Sequence, residues 1–139
     1  MTELRIAEAA RFLGVSDDTV RRWIDQGALH STRSATGQTV VDGLELARLL
    51  KERAVRPEDP AHVASSARNR FVGLVTEVVS DTVMSQVELQ CGPFRVVSLM
   101  SSEAVRELGL EPGSVAVAVV KATTVIIETP HDRKHQENA

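Results

Sequence analysis

Three short segments of the sequence carry the side chains that a tetrahedral oxyanion requires. Such a dianion needs donors without acceptors beside them, and backbone N–H groups, Ser or Thr hydroxyls and a Lys or Arg meet this need. The start of a helix adds oriented N–H groups and the positive end of a dipole. The candidates are Ser66, Ala67, Arg68 and Asn69 in the first segment, Ser101 and Ser102 in the second, and Lys121, Ala122 and Thr123 in the third.

The same residue types also have simpler roles, which stay open at this point. Ser101 and Ser102 can merely cap a helix, and Arg68 can pair with a surface carboxylate. His131 and His135 have an i, i+4 spacing but no third ligand, so we predict no metal site there. Cys91 has no partner motif and is predicted to be a small packed residue.

A second group of polar side chains lies on a predicted helix near the N-terminus. Ser16 is a good N-cap, and the apolar face of this helix is formed by Val20, Trp23 and Ile24. A simple solvated face is the alternative for its polar side. If the helix reads DNA, the candidate contacts on it and on the following hairpin are Ser16, Asp18, Thr19, Arg21, Arg22, Gln26, Arg33, Ser34, Thr36 and Gln38.

The elements around this helix predict a small α+β winged helix-turn-helix domain over residues 1–53. A first helix lies within residues 4–14 and starts at Ile6, because Ile6, Ala9, Ala10 and Leu13 fall on one helical face. Residues 29–41 have the pattern of a hairpin, and a third helix begins at Asp42. Helix, helix, hairpin, helix is the order of a winged helix-turn-helix.

Residues 14–23 read Gly-Val-Ser-Asp-Asp-Thr-Val-Arg-Arg-Trp. This stretch resembles the recognition-helix region of the MerR superfamily, especially its excisionase-like and BldC-like members, and the resemblance implies binding to double-stranded DNA. The basic wing tip of that family is missing, since residues 33–40 read Arg-Ser-Ala-Thr-Gly-Gln-Thr-Val. Few cations on the domain predict weak DNA binding by one copy, and several copies on one assembly would raise it.

Residues 54–65 contain two prolines and no periodicity, which predicts a linker. Five strand-like runs follow, over residues 71–79, 83–90, 94–99, 115–121 and 124–128, with one short helix from Ser101. This pattern predicts an all-β, OB-like barrel with one short helix over residues 66–129. Residues 130–139 are polar and are predicted to be a disordered tail.

The second domain resembles the Mop family, also described as molbindin or TOBE-type, in the order of its three polar segments and its short helix. The resemblance implies molybdate or tungstate as ligand, bound where segments of different subunits meet. It also implies a homo-oligomer, a dimer or a hexamer, with Ser66, Arg68, Ser101, Lys121 and Thr123 as candidate ligands. The family commonly has Thr-x-x-Ser at the helix start, and here Ala104 replaces the second hydroxyl.

Composition limits the class of protein. The net charge of -3 excludes a strongly basic nucleic-acid binder, and the single cysteine excludes an internal disulfide. Neither a secretory signal nor a membrane-spanning run is found, so we expect a cytoplasmic protein without membrane contact. No catalytic constellation stands out, so we expect no enzyme and no organic cofactor.

These features favour a DNA-binding transcriptional regulator that responds to molybdate or tungstate. One alternative is an intracellular store or buffer of the oxyanion, whose helix-turn-helix contacts proteins. Another is a DNA-binding protein that uses its Mop-like domain only for assembly, as Ala104 would allow.

Overall fold

The computed structural model describes residues 2–130, so His131, His135 and most of the predicted tail lie outside the described residues. The chain divides into two units between Val55 and Arg56, inside the predicted linker. Within the described residues, no helix has both the length and the apolar character that crossing a bilayer would require.

The N-terminal unit is a small winged helix-turn-helix. Its elements are β1 (Glu3–Arg5), α1 (Ile6–Leu13), α2 (Asp17–Asp25), β2 (Ser31–Arg33), β3 (Thr39–Asp42) and α3 (Gly43–Arg53). The three strands form an antiparallel sheet in the order β1-β3-β2. Its core packs α1, α2 and α3 together through residues such as Ala9, Val20, Leu29 and Leu46.

The predicted start of the first helix at Ile6 is confirmed. Leu4 lies in β1, opposite Val41 of β3, and α1 begins at Ile6. The helix start is stabilised by Glu8, whose carboxylate accepts hydrogen bonds from the backbone and the side chain of Arg5. Arg5 therefore holds the pKa of Glu8 below its usual value.

The starts of the other two helices in the N-terminal unit are set by capping side chains. Ser16 caps α2 by accepting from the Thr19 N–H, and Asp42 caps α3 by accepting from the Glu45 N–H. The Glu45 side chain does not reach back to the Asp42 backbone to complete a capping box. The Glu45 carboxylate instead accepts from the His30 N–H and lies 2.8 Å from the His30 ring, which ties α3 to the segment before β2.

The C-terminal unit is a half-barrel of antiparallel strands with one short helix. It contains β4 (Asn69–Ser80), β5 (Met84–Cys91), β6 (Phe94–Ser101), α4 (Ser102–Leu108), β7 (Val115–Val120) and a 3₁₀ helix (Ala122–Thr124). The sheet order is β6-β5-β4-β7. The predicted class, an OB-like β fold with one helix, is confirmed.

A fifth strand over residues 124–128 is not present. After β7 the chain turns through the 3₁₀ helix, and the Val125 N–H bonds to the Ala122 carbonyl instead of to a strand. A run of β-branched residues becomes a strand only when a sheet edge is available to it. These residues find no such edge among residues 2–130, and Ile126 and Ile127 are 84% and 80% exposed.

Candidate oxyanion and DNA sites

The first and third predicted oxyanion segments meet at one end of the C-terminal sheet. Asn69 is paired with Val120 at the end of the β4–β7 ladder, and its side-chain amide donates to the Val120 carbonyl at 3.1 Å. This register brings Arg68 and Lys121 to the same end, one step beyond the last pair. Both side chains are exposed.

The electrostatics of this end favour an anion. No Asp or Glu occurs in residues 66–76 or 112–127. Asp59 reaches into the region, but it pairs with Arg70 at 2.7 Å, and Arg70 holds the pKa of Asp59 below its usual value. Arg68 makes no ion pair with any carboxylate in residues 2–130, so the simple surface-pair alternative applies to Arg70 instead. Two adjacent cations without an acid create a positive patch.

The remaining members of these two segments are placed differently. Ser66, Ala122 and Thr123 are exposed near this positive end, whereas the side chain of Ala67 is buried. The Ser65 hydroxyl accepts from the Ala67 N–H, and the Lys121 carbonyl accepts from both the N–H and the hydroxyl of Thr124. The backbone of both segments is therefore held in place by local bonds.

The second predicted segment lies at the opposite end of β4. Ser101 pairs with Met84, next to the turn that joins Ser80 to β5. A strand rises about 3.3 Å per residue, so the twelve residues of β4 separate the two ends by roughly 40 Å measured along the strand. One chain thus carries two separated groups of donors.

Ser101 and Ser102 have different roles. Ser101 is exposed and caps α4, its hydroxyl accepting from the Ala104 N–H at 3.1 Å. Ser102 is 3% exposed, and its hydroxyl donates to the Asp81 carbonyl at 2.8 Å. Because that proton is used, Ser102 accepts from Ser85, which is 2.8 Å away.

The Ser102 hydroxyl therefore belongs to a chain of bonds inside the domain. Ser85 in turn accepts from Ser80 at 2.7 Å, so the direction of every bond is determined. The sequence analysis missed this chain. Its signal was present, because Ser85 is in phase with the buried residues Val87, Leu89 and Cys91 along β5.

The turn beside this chain is held by a carboxylate. Asp81 accepts from the N–H groups of Val83 and Met84, both at 2.8 Å. These backbone bonds, that of Met84 first, hold the pKa of Asp81 below its usual value. The helix and the β4–β5 turn are therefore fixed to each other.

The predicted DNA-contacting residues divide into exposed and engaged groups. Asp18, Arg21, Arg22 and Gln26 are exposed on α2. Ser16 and Thr19 bond to each other in the cap of that helix, at 3.0 Å between their hydroxyl oxygens.

The predicted role of Trp23 in the core is confirmed. Trp23 is partly buried against the N-terminal core, and the Arg53 guanidinium lies 4.3 Å from its ring centroid.

The wing residues mostly bond to each other. Arg33 donates to the Gly37 carbonyl at 2.9 Å and so closes the hairpin from β2. The Ser34 hydroxyl lies 3.0 Å from that of Thr36 and accepts from the Gln38 N–H at 3.2 Å. The tip therefore presents short polar side chains.

The structure also bears on the metal and cysteine predictions. Within residues 2–130, no group of three His, Cys, Asp or Glu side chains is placed to hold a metal ion. Cys91 is buried, its thiol lies 3.7 Å from the Phe71 carbonyl, and burial raises its pKa. The prediction that Cys91 is a packed residue is confirmed.

Comparison with known protein families matches both units. The helix-turn-helix domain family matches residues 3–54, and the TOBE domain family matches residues 65–127. A probable molybdenum-pterin-binding protein of Haemophilus influenzae is 40% identical over 63 residues, which cover 45% of this chain and 91% of that protein.

Two larger relatives share only part of their length with this chain. The molybdenum-pterin-binding protein MopA of Rhodobacter capsulatus is 31% identical over 107 residues, 74% of this chain and 40% of MopA. The molybdenum transport protein ModE of Herbaspirillum seropedicae is 33% identical over 66 residues, 47% of this chain and 24% of ModE. The chain thus spans about a quarter of ModE and two fifths of MopA.

Two solved structures are similar to the C-terminal unit. The cytoplasmic molybdate-binding protein ModG is 38% identical, with a TM-score of 0.49 and 52% of each chain covered. A molybdate-binding protein from Sporomusa ovata is 30% identical, with a TM-score of 0.47, 48% of this chain covered and 100% of that one. Through residues 65–127 the chain belongs to the TOBE-domain family that includes the molybdenum-pterin-binding proteins, and it joins this domain to an N-terminal helix-turn-helix domain.

Proposed function

We propose that this chain is a cytoplasmic transcriptional regulator of the MerR type that binds double-stranded DNA and responds to molybdate or tungstate. The proposal rests on one observation, which is that the hydrogen-bond donors of one chain lie in two separate groups. Arg68 and Lys121 lie at a positive end of the sheet whose one nearby acid, Asp59, is paired with Arg70, whereas Ser101 lies at the far end of β4. Each copy supplies two half-sites, which only another copy can complete.

The proposed assembly uses the C-terminal unit. A groove of about 620 Å³ opens in this unit and is lined mostly by valine, leucine and alanine side chains of β5, β6 and β7. Val125, Ile126 and Ile127 are partly or largely exposed just beyond β7. We propose that contacts between copies cover these apolar surfaces, because exposed apolar area of this extent marks protein interfaces.

Oxyanion binding would then be coupled to DNA binding through the assembly. A ligand that binds one arrangement of subunits more tightly than another shifts the equilibrium between them by its differential affinity. The spacing of two α2 helices changes with the arrangement. Occupied oxyanion sites would therefore favour one spacing of DNA half-sites.

A thermal-shift titration of the full chain tests the oxyanion site. Molybdate and tungstate are the ligands, with sulfate and phosphate as controls. At about a hundred times its dissociation constant, a ligand adds roughly 2.7 kcal/mol to the stability of the protein. We expect a selective shift that Lys121→Ala or Arg68→Ala abolishes. Arg106→Ala, an exposed cation of α4 in the same unit, is the matched control and should keep the shift.

A second candidate function is that the C-terminal domain only assembles a DNA-binding protein, and the lack of free hydrogen-bond donors at α4 favours it. The Ser102 hydroxyl is consumed inside the fold, and Ala104 offers only its N–H, which Ser101 already accepts. The half-site at α4 is thus poor in free donors, as expected if the domain only assembles a DNA-binding protein. No thermal shift from a folded, oligomeric protein would support this function and contradict the oxyanion site. Ligand binding without any DNA binding would instead indicate an oxyanion store.

A further inference from the structure

One face of α2 points directly away from the protein core. Val20 is 0% exposed, and both Asp18 and Arg22 lie two positions from it. At 3.6 residues per turn, each side chain is about 160° around the helix from Val20. Asp18 and Arg22 are also four residues apart, so they are neighbours on the helix surface. These two residues are the outward stripe of α2.

Both charges of this stripe are available to a ligand. Asp18 and Arg22 are exposed, and within residues 2–130 neither makes an ion pair with another side chain. The cap of the helix is made separately by Ser16 and Thr19. The Asp18 carboxylate is therefore not required for that cap.

A carboxylate in this position has a restricted choice of partners on DNA. Asp17 and Asp18 lie in the first turn of α2, where a phosphate would otherwise be attracted to the helix end. Their charges repel the backbone, so this end gains nothing from phosphate contact. In the major groove a carboxylate typically accepts from the N4 amino group of cytosine. Adenine presents its amino group beside the N7 acceptor, which repels a carboxylate, and guanine presents only acceptors.

We infer that Asp18 is a specificity-determining residue for the DNA binding proposed above, on which this inference rests. The Asp18 carboxylate accepts a hydrogen bond from the N4 amino group of a cytosine in the major groove. Arg22, one turn further along the same stripe, donates to O6 and N7 of a guanine in the same or the adjacent base pair. The acid lowers affinity for all DNA and selects a C·G pair.

The test is selection of binding sites by the full chain from a randomised duplex library, followed by competition titration. The variants are Asp18→Asn and Asp17→Asn. Asp17 is three positions from Val20, about 60° around the helix, so it flanks the buried side instead of the outward stripe. Because Asp17→Asn removes the same charge from the same turn, it controls for the change in non-specific affinity.

We expect the unaltered chain and Asp17→Asn to enrich the same sequence with a preferred C·G pair. Asp18→Asn should lose the preference at that one base pair and keep the flanking ones. The discrimination lost should be about 5- to 150-fold, the range for one good base contact.

Three results would overturn the inference. If Asp18→Asn selects the same sequence as the unaltered chain, Asp18 acts only on the helix dipole. If Asp18→Asn is folded but binds no DNA, the Asp18 carboxylate of the unaltered chain is needed for DNA binding as such. It then does not act by repelling phosphates and disfavouring other bases. If the unaltered chain enriches no sequence, sequence-specific DNA binding fails together with this inference, whereas the first two results leave the proposed function intact.

Discussion

Gly73 is a single residue whose missing side chain lets two strands approach closely. A Cβ at this position would lie 2.5 Å from the Gln90 carbonyl oxygen and 2.6 Å from the Cys91 Sγ. The site precedes the bulge of β4, where Thr76 has no register partner on β5 and bonds to Glu88 of that strand through its hydroxyl. Nothing larger than hydrogen fits, because the atom in the way belongs to the backbone of the neighbouring strand.

We predict that Gly73→Ala destabilises the C-terminal unit by about 1–3 kcal/mol or more, the usual cost of overpacking. The measurement is chemical denaturation of the full chain at a fixed protein concentration. Glu77→Ala, an exposed residue of the same strand, is the control and should change stability by less than about 0.5 kcal/mol. An equally small effect of Gly73→Ala would contradict the close approach of β4 and β5.

At the scale of elements, the two serines at the start of α4 have different structural roles. Ser101 caps the helix from the outside, and Ser102 links the helix to the β4–β5 turn through Ser85 and the Asp81 carbonyl. A buried polar group that loses its partner costs more than an exposed one, because water cannot replace the lost bond. The buried serine therefore matters more to stability, and the exposed one is the better candidate for ligand contact.

We predict that Ser102→Ala lowers the unfolding free energy by about 1–3 kcal/mol, since it leaves Ser85 with an unsatisfied hydroxyl. Ser101→Ala should cost about 0.5–2 kcal/mol through the lost cap. The molybdate-induced thermal shift should fall with Ser101→Ala and persist with Ser102→Ala. The reverse pattern of ligand responses would place the oxyanion contact on the buried side of the helix.

At the scale of the whole molecule, the C-terminal unit does not cover its own apolar surface. Its buried core contains Val75, Val87, Leu89, Cys91 and Val105, which is a small set for the number of strands. Larger side chains such as Phe94, Leu99 and Ile126 are each more than two thirds exposed. The association between copies proposed above would supply the missing burial.

We predict that Ile126→Asp with Ile127→Asp reduces the size of the assembly in light scattering, because two charges cannot be buried in an apolar contact. Val55→Asp is the matched control, since Val55 is 94% exposed and is the last residue of the N-terminal unit. It should leave the assembly unchanged. An unaltered assembly in the double variant would exclude residues 125–128 from the contact between copies.

The sequence by itself determined the features that depend on near neighbours. The caps at Ser16 and Asp42 were predicted, and the cap of α4 was predicted to be Ser101 or Ser102, because capping needs only a suitable residue within a few positions. The order of elements and the fold class followed from periodicity. The polar segments could also be located along the chain, because each is defined by neighbouring residues.

Only the tertiary structure decided which of those segments meet. The β4–β7 register brings Arg68 and Lys121 to one end of the sheet and Ser101 lies at the other end, and register depends on pairing over about fifty residues of chain. It also decided that Ser102 is buried and that residues 125–128 pair with no strand in the described part of the chain. Local pattern predicts what a segment can form, but the partner of that segment depends on which edges and cavities the rest of the chain leaves open.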